Sequence, residues 1–233
     1  MEEQKVKKTN SFYAVMRAIF ARIILALFRV EIVNPENEPA DVDGIIVCSN
    51  HISNLDPILI VASLRHQVHF VAKAELFHVP VLGLIIRAFG AYPIKRGAAD
   101  VGAIKRTIEL LRDGENIGYF AQGTRVPGEL PQKETARTGV GMIQTKTGAD
   151  VLPVAIVNRG MRVRPFHRTR IIVGELVPGE ELAALIEDRE RKDTAPVGDR
   201  ERFQIITDRV FGEVCRIAAD DRDRVNTGNR KPE

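Results

Sequence analysis

Short apolar runs alternate with segments of helical periodicity along most of the chain, and the two patterns predict different elements. The apolar runs are rich in Val and Ile and are bounded by Pro, Asn, Asp or Gly, which is typical of strands. They predict strands at 29–33, 44–49, 67–72, 92–94, 116–120, 151–157 and 169–175. The periodic segments predict helices from Pro57 onward and at 80–88, 98–112, 138–147, 180–188 and 201–218.

The alternation itself predicts the fold class. Strands that are separated by helices favour a mostly parallel sheet with crossover helices on its faces. The segment 98–112 illustrates the helical pattern. Its residues Val101, Ile104 and Ile108 fall on one helical face. We therefore expect an α/β domain over residues 31–220, with a mostly parallel central sheet and flanking helices.

The N-terminal segment combines apolar residues with basic charge. Residues 1–30 carry six basic and two acidic side chains, and "SFYAVMRAIFARIILALFRV" is largely apolar. Arg17 and Arg22 interrupt the apolar run, whereas a membrane span needs about 20 largely apolar residues. The pattern favours a membrane-associating helix that lies in the interface, with its arginines reaching the headgroups. A core-packing amphipathic helix and a true span are the alternatives.

Composition narrows the class of protein. A chain of 233 residues with a net charge of +3 fits one domain whose core needs no disulfide. Cys48 and Cys215 have no metal-ligand spacing, and both are expected to be buried thiols in a reducing compartment. Basic charge beside apolar residues suggests a phospholipid membrane surface as partner, and the lack of tryptophan argues against nucleic acid. The charged residues 221–233 are expected to form a disordered tail.

Polar motifs occur at the ends of three predicted strands. "NHISNLD" follows the strand 44–49, "YPIKRG" contains the strand 92–94, and "FAQGTR" follows the strand 116–120. A fourth motif, "VLPVAI", lies in the strand 151–157. In a parallel α/β sheet, ligands bind at the loops that leave the carboxyl ends of the strands. The placement of the motifs therefore predicts one site at that edge of the sheet.

His51 and Asp56 are candidates for a proton-transfer pair. Five residues advance about 140° beyond one turn in a regular helix, so a turn through 52–55 has to bring the two side chains together. The imidazole could then act as a general base, with the carboxylate fixing its tautomer. In the alternative interpretation, Asp56 caps the helix that Pro57 opens, and His51 is a loop histidine bonded to backbone. Capping and orienting can coexist, because a carboxylate has several acceptor positions.

The four motifs, in this order, resemble those of the glycerophospholipid acyltransferase family, which includes the bacterial 1-acyl-sn-glycerol-3-phosphate acyltransferases (PlsC-type). The resemblance covers residues 46–156. It implies an enzyme that transfers a fatty acyl group to the sn-2 hydroxyl of lysophosphatidic acid, giving phosphatidic acid. It also implies acyl-CoA or acyl carrier protein as donor, no bound cofactor, and a peripheral or monotopic position on the cytoplasmic face of the cell membrane.

The resemblance also implies which residues bind the anionic acceptor. Arg96 and Arg125 correspond to the arginines of the second and third motifs, and a guanidinium group matches phosphate oxygens bidentately. Gly123 and Thr124 would let backbone and hydroxyl groups approach the same anion. Lys73 matches a position near the phosphate or the thioester.

The remaining roles concern catalysis and the acyl chain. The resemblance makes His51 the general base and Asp56 its orienting partner. Aliphatic residues near Leu82, Leu84 and Ile85 are expected to line the acyl groove. No histidine has ligand spacing with another histidine, cysteine or carboxylate, so no metal site is expected.

The third motif departs from the family pattern, because Ala121 and Gln122 stand where the family has Pro-Glu. Gln122 keeps an acceptor oxygen, loses a charge and gains two donors. We count Gln122 with the acceptor-binding residues, since it can partly replace a glutamate that binds acceptor hydroxyls. The departure leaves three alternatives open: another lysolipid acceptor, transacylation from another phospholipid, or a non-catalytic lipid-binding relative.

Overall fold

Seven strands form one sheet in the computed structural model of the chain, which describes residues 11–80, 82–88, 91–94, 101–192 and 196–228. The strands are β1 Val30–Val33, β2 Ile46–Ser49, β3 Val68–Lys73, β4 Tyr92–Ile94, β5 Asn116–Phe120, β6 Val151–Asn158 and β7 Thr169–Val173. They lie side by side in the order β1-β7-β6-β2-β5-β3-β4.

Helices occupy most of the connections between these strands. The α-helices of the described residues are α1 Ser11–Leu27, α2 Asp56–Ser63, α3 Leu82–Ala88, α4 Val101–Arg112, α5 Gly139–Thr147, α6 Gly179–Lys192 and α7 Asp199–Gly228. Short 3-10 helices occur at Pro35–Asn37, Ala74–His78 and Lys133–Thr135. The predicted alternation of strands and helices is therefore confirmed.

Five neighbouring strands run parallel, and two run against them. β6, β2, β5, β3 and β4 share one direction, whereas β7 pairs antiparallel with β6 and β1 pairs parallel with β7. The predicted mostly parallel sheet is confirmed. In the register of the central strands, Ser49 lies beside Phe120 and Val154. The loops that leave β2, β5 and β6 therefore begin at the same edge of the sheet.

The core lies on both faces of the central strands. All of β2 and the first seven residues of β6 are buried, as expected for parallel strands covered on both faces. Helix α1 packs against α2 and α3, and a second group is formed by the contacts of α5 with α4 and of α7 with α5 and α6. Helix α7 also lies against the central strands β6 and β2.

The C-terminal region is more ordered than its charge suggested. Helix α7 continues to Gly228, so the expectation of a disordered tail is wrong for residues 221–228, and residues 229–233 lie outside the described part. Two features support this last stretch of helix. Arg216 pairs with Asp220 one turn later, and the buried Asp221 pairs with Arg170 on β7.

Helix α1 joins the body of the domain. It packs against α2, and Phe28, directly after it, is buried in the core with 4% of its surface exposed. No helix among the described residues is long and apolar enough to cross a membrane. Ile19 and Ile23 remain exposed on α1. The membrane-associating role of residues 1–30 stays a prediction.

Candidate active site

The loop after β2 begins with an asparagine that continues the sheet. Asn50 is fully buried, and its side-chain amide donates to the Ile156 carbonyl at 3.0 Å and accepts from the Ile156 N–H at 2.8 Å. In a parallel ladder, these two groups of Ile156 would bond to the backbone of a continued β2. The asparagine therefore satisfies the β6 backbone while the main chain turns away from the sheet, and this fixes the position of the next residue, His51.

His51 and Asp56 meet, as the predicted turn requires. Nδ1 of His51 lies 2.8 Å from Oδ2 of Asp56, and the same oxygen accepts the backbone N–H groups of Ile52 at 2.6 Å and Ser53 at 2.7 Å. Because Oδ2 accepts from two amides, it is an acceptor toward His51 as well. Nδ1 therefore carries a proton, and Nε2 is the nitrogen left with a free lone pair.

The carboxylate of Asp56 points back into the loop. Asp56 is the first residue of α2, with Leu55 at the capping position and no side-chain cap on the helix. The expectation that Asp56 caps α2 is therefore wrong. Pro57 in the first turn has no N–H to cap, and the carboxylate instead closes the loop that carries His51.

Asp56 is fully buried, whereas the side chain of His51 is 17% exposed. Burial raises the pKa of the Asp56 carboxyl, and the hydrogen bonds from His51, Ser53 and Ile52 act in the opposite direction. The pair thus consists of an enclosed carboxyl group and an imidazole that opens to the surface.

Aromatic rings hold the imidazole from one side. The ring of Phe120, the last residue of β5, stacks on His51 with 4.0 Å between centroids and an interplanar angle of 13°. Phe70 of β3 in turn stacks on Phe120 at 5.1 Å. Gly118 makes room for this column, since a Cβ there would lie 2.0 Å from the Phe70 ring. Three adjacent strands therefore determine the orientation of His51.

Gln122 is part of the protein scaffold. Only 2% of its surface is exposed, and its Oε1 accepts the backbone N–H of His51 at 2.9 Å. Its Nε2 donates to the Thr135 hydroxyl at 3.0 Å, and that hydroxyl donates to the Gln132 carbonyl at 2.6 Å. The expectation that Gln122 contacts the acceptor does not fit this geometry, because the amide is buried and bonded at both ends.

The turn after Gln122 faces solvent beside His51. Gly123, Thr124 and Arg125 are all exposed, and Gly123 has a φ of +65°, a conformation that glycine adopts without strain. The next residue, Val126, donates its N–H to the His51 carbonyl at 2.7 Å. The predicted anion-binding turn is therefore tied directly to the residue that carries the imidazole.

The other predicted site residues are described only in part. Lys73 is the last residue of β3, and its side chain lies outside the described part, as do those of Leu82 and Ile85. Arg96 lies wholly outside the described residues. Leu84 on α3 is 52% exposed.

Three residues of the site had no role predicted from the sequence: Asn50, Phe120 and Thr135. Asn50 and Phe120 lie in or beside the quoted motifs, which was the available signal for them. Thr135 lies 13 positions from Gln122 along the chain, and no sequence pattern connects the two.

A cavity elsewhere on the surface is not connected to His51. It has a volume of about 570 Å³ and opens between Lys133 and helix α7. The two arginines that line it, Arg209 and Arg216, pair with glutamates of α6 and α7. Among the described residues, no group of three His, Cys, Asp or Glu side chains could hold a metal ion.

Comparisons with known proteins match the part of the chain that builds this site. A family model described as "Acyltransferase" matches residues 29–157. A 1-acyl-sn-glycerol-3-phosphate acyltransferase of Bacillus subtilis is 32% identical over 168 residues, which is 70% of this chain and 82% of that protein. The chloroplastic 1-acyl-sn-glycerol-3-phosphate acyltransferase LPAT1 of Arabidopsis thaliana is 27% identical, and the match spans 53% of its length.

A solved structure shares the fold. The crystal structure of the 1-acyl-sn-glycerophosphate acyltransferase PlsC from Thermotoga maritima aligns with a TM-score of 0.56 and 26% sequence identity. The alignment covers 76% of this chain and 77% of that one.

Proposed function

The chain belongs to the acyltransferase family, and we propose that it acylates the sn-2 hydroxyl of lysophosphatidic acid to give phosphatidic acid. The acyl donor is acyl-CoA or acyl carrier protein. The observation that carries this proposal is the His51–Asp56 pair, 2.8 Å apart, beside an exposed Gly-Thr-Arg turn at the carboxyl edge of the sheet. The names of the relatives from Bacillus and Arabidopsis support the acceptor.

His51 acts as the general base. Its Nε2 takes the proton of the acceptor hydroxyl while the oxygen attacks the thioester carbonyl carbon. The carboxylate of Asp56 holds Nδ1 and stabilises the imidazolium that forms, as in a serine hydrolase triad. The nucleophile belongs to the acceptor, so the protein needs no nucleophilic side chain.

The second half of the reaction returns the proton. The tetrahedral intermediate collapses with cleavage of the carbon–sulfur bond, and the thiolate of the donor takes the proton from Nε2 of His51. An ester and a free thiol are formed, and the imidazole is neutral again. The balance is complete without a metal or a bound cofactor.

The acceptor phosphate binds at the exposed turn. Arg125 offers a guanidinium fork, and Thr124 a hydroxyl donor, one or two residues from the Val126 amide that bonds to His51. Arg96 and Lys73 complete the anion site in this proposal. Gln122 has a different role, because its amide already bonds to His51 and Thr135.

The enzyme works at the cytoplasmic face of the cell membrane, where its acceptor and product reside. The exposed Ile19 and Ile23 of α1 and Leu84 of α3 offer apolar contact with the bilayer. Leu84, with Leu82 and Ile85, lines the acyl groove in this proposal.

The test is acyl transfer from labelled acyl-CoA and acyl carrier protein, with lysophosphatidic acid and neutral lysolipids offered side by side. We expect turnover with lysophosphatidic acid, and a loss of about 10²–10⁴-fold in His51→Ala, the usual contribution of a general base. His78→Ala is the matched control, because His78 is exposed on a 3-10 helix and should leave the rate unchanged. Turnover with neutral lysolipids alone would refute the acceptor, and full activity in His51→Ala would refute the mechanism.

A further inference from the structure

Both the side chain and the backbone of Phe166 are in an energetically unfavourable state. Its side chain is 73% exposed, and its backbone has a φ of 63°, in the left-handed region. A bulky residue rarely adopts this conformation, which glycine or asparagine would take with less strain. In the described part of the chain, the ring therefore makes few packing contacts that could offset the strain of its backbone.

The loop that carries Phe166 is firmly attached. Met161 is buried in the core, and its carbonyl accepts the N–H of Gly128 at 3.0 Å. The N–H of Arg162 bonds to the side chain of Asn158 at 2.7 Å. Phe166 itself donates its backbone N–H to the Leu27 carbonyl at the end of α1, at 2.7 Å. These bonds fix the loop at both sides of the ring and hold the ring outward.

The same loop is strongly basic. From Arg159 to Arg170, the first two residues of β7 included, the chain has five arginines and no acidic residue. Two of these arginines, Arg168 and Arg170, pair with Glu31 on β1. The other three are exposed and form no ion pair within the described part of the chain: Arg159, Arg162 and Arg164. An exposed phenylalanine thus lies among free guanidinium groups.

The position of the loop links α1 to the active site. Residues 159–168, which we call the β6–β7 loop, leave the carboxyl edge of the sheet, where the His51 loop also begins. The segment after β5 joins the two loops. Val126 donates its N–H to the His51 carbonyl, and Gly128 donates its N–H to the Met161 carbonyl in the β6–β7 loop. On the other side, the contact with Leu27 places Phe166 one helical turn beyond the exposed Ile23.

We propose that the β6–β7 loop is a membrane-docking element that inserts Phe166 into the interface and places Arg159, Arg162 and Arg164 on anionic phospholipid headgroups. Interfacial binding elements combine an apolar insert with basic residues in this way. The proposal deepens the proposed function, on which it rests, because it brings the His51 edge of the sheet to the surface that holds the acceptor. The exposed ring favours a lipid surface over the phosphate groups of a soluble donor.

Tryptophan fluorescence tests the insertion directly, because the natural chain contains no tryptophan. Phe166→Trp places a single reporter at the tip of the loop. With vesicles that contain phosphatidylglycerol, its emission should shift to shorter wavelength. Ala184→Trp is the control, since Ala184 is exposed on α6 in the other group of helices and should show no shift. An unshifted Phe166→Trp spectrum under conditions where the protein floats with the vesicles would overturn the proposal.

Two further variants separate membrane binding from folding. Phe166→Asn should leave the thermal midpoint unchanged or higher, because asparagine tolerates the left-handed conformation, and should reduce vesicle flotation. Arg164→Gln should weaken binding to anionic vesicles about five-fold, the usual contribution of one arginine at such a surface. Arg200→Gln, at an exposed position of α7, is the charge-matched control and should bind like the wild type.

Activity assays distinguish failure of this proposal from failure of the proposed function. With a short-chain, soluble lysophosphatidic acid, Phe166→Asn and Arg164→Gln should turn over like the wild type, whereas with acceptor in vesicles both should be slower. A rise in the donor KM of Arg164→Gln with the soluble acceptor would assign the arginine to donor binding and overturn the docking role. Loss of all turnover in the wild type would refute the proposed function and leave the vesicle result to decide the docking role.

Discussion

Asp56 is hydrogen-bonded to His51, and its side chain is fully buried, which is unfavourable for a charged carboxylate. Its Oδ2 accepts three hydrogen bonds, whereas its Oδ1 is buried with no partner among the described residues. Burial raises the pKa of the carboxyl above its ordinary value of about 3.9. The ionised form is therefore less favourable in the folded protein than in the unfolded chain, and the site carries a stability cost at neutral pH.

Asp56→Asn should separate stability from activity. A carboxyl group with a raised pKa binds its proton more tightly when folded, so its contribution to stability falls as the pH rises through the folded pKa. The asparagine variant should therefore have an equal or higher thermal midpoint at pH 7, and this advantage should shrink as the pH falls toward about 4. Thermal unfolding of both proteins across this pH range is the measurement. A markedly lower midpoint at pH 7 would mean that the hydrogen bonds of the Asp56 carboxylate with His51, Ile52 and Ser53 stabilise the fold by more than its burial costs.

Gln122 should affect kcat more than KM. Gln122→Met removes the oxygen that accepts the His51 N–H, and it should lower kcat with little change in the KM for lysophosphatidic acid. Gln122→Glu should retain most activity, because the carboxylate still accepts from His51 and the Thr135 hydroxyl can turn to donate to it. Steady-state kinetics of both variants is the test. A large rise in acceptor KM with unchanged kcat in Gln122→Met would instead indicate contact with the acceptor.

The residues that carry the chemistry of the site were predictable from the sequence, whereas the residues that hold them in place were not. The contact of His51 with Asp56 was one of two interpretations that residue types and spacing left open, and the family resemblance favoured it. The orientation of Gln122 did not, because a glutamine in a motif has no sequence signal for burial or for a partner such as Thr135. The pairing of Asn50 with the β6 backbone was equally inaccessible, since it depends on which strands become neighbours.

At the scale of elements, the column of rings across β3 and β5 depends on Gly118. Gly118→Ala would place a methyl group 2.0 Å from the Phe70 ring, which supports Phe120 and through it His51. We expect a loss of about 1–3 kcal/mol in the free energy of unfolding, as for other overpacked cores, together with a lower kcat. Urea unfolding and initial rates measure the two effects.

Gly102→Ala is the matched control, because a Cβ at Gly102 on α4 meets no atom within 4 Å. This variant should be neutral or slightly more stable, since alanine is the better helix former. Equal behaviour of the two alanine variants would contradict a positioning role for the ring column.

Helices and strands with a clear hydrophobic period were predictable from the sequence. The residues at which they begin and end were predicted less accurately. All seven strands lie where short apolar runs predicted them. The continuation of α7 to Gly228 was missed because residues 221–228 have no apolar stripe of their own. At the start of this stretch Asp221 pairs with Arg170 on β7, a long-range contact that depends on the fold and has no signal in the sequence.

At the scale of the whole molecule, the N-terminal segment contributes to the core. Phe28 is 4% exposed, so Phe28→Ala should lower the free energy of unfolding by about 3–5 kcal/mol. Ile23→Ala is the control on α1, because Ile23 is 55% exposed and its loss should change stability by no more than about 0.5 kcal/mol. Urea unfolding measures both. A similar small effect of the two variants would mean that the segment is attached to the domain only loosely.

The parallel part of the sheet was predictable from the alternation of strands and helices, and the reversal of β7 was not. The connection from β6 to β7 has no helix, which permits antiparallel pairing but does not require it. This reversal places β1 at the edge and brings the end of α1 to the β6–β7 loop. The membrane-facing surface we propose therefore arises from topology, and no single motif encodes it.

A double-mutant cycle shows whether His51 and Asp56 act as one unit in acyl transfer. The initial rate with acyl-CoA and lysophosphatidic acid would be measured for the wild type, His51→Ala, Asp56→Asn and the double variant. If Asp56 acts through His51, each single variant should lose at least about 10²-fold, and the double variant should be no slower than His51→Ala alone. Losses that multiply in the double variant would contradict this account, because the two residues would then contribute independently.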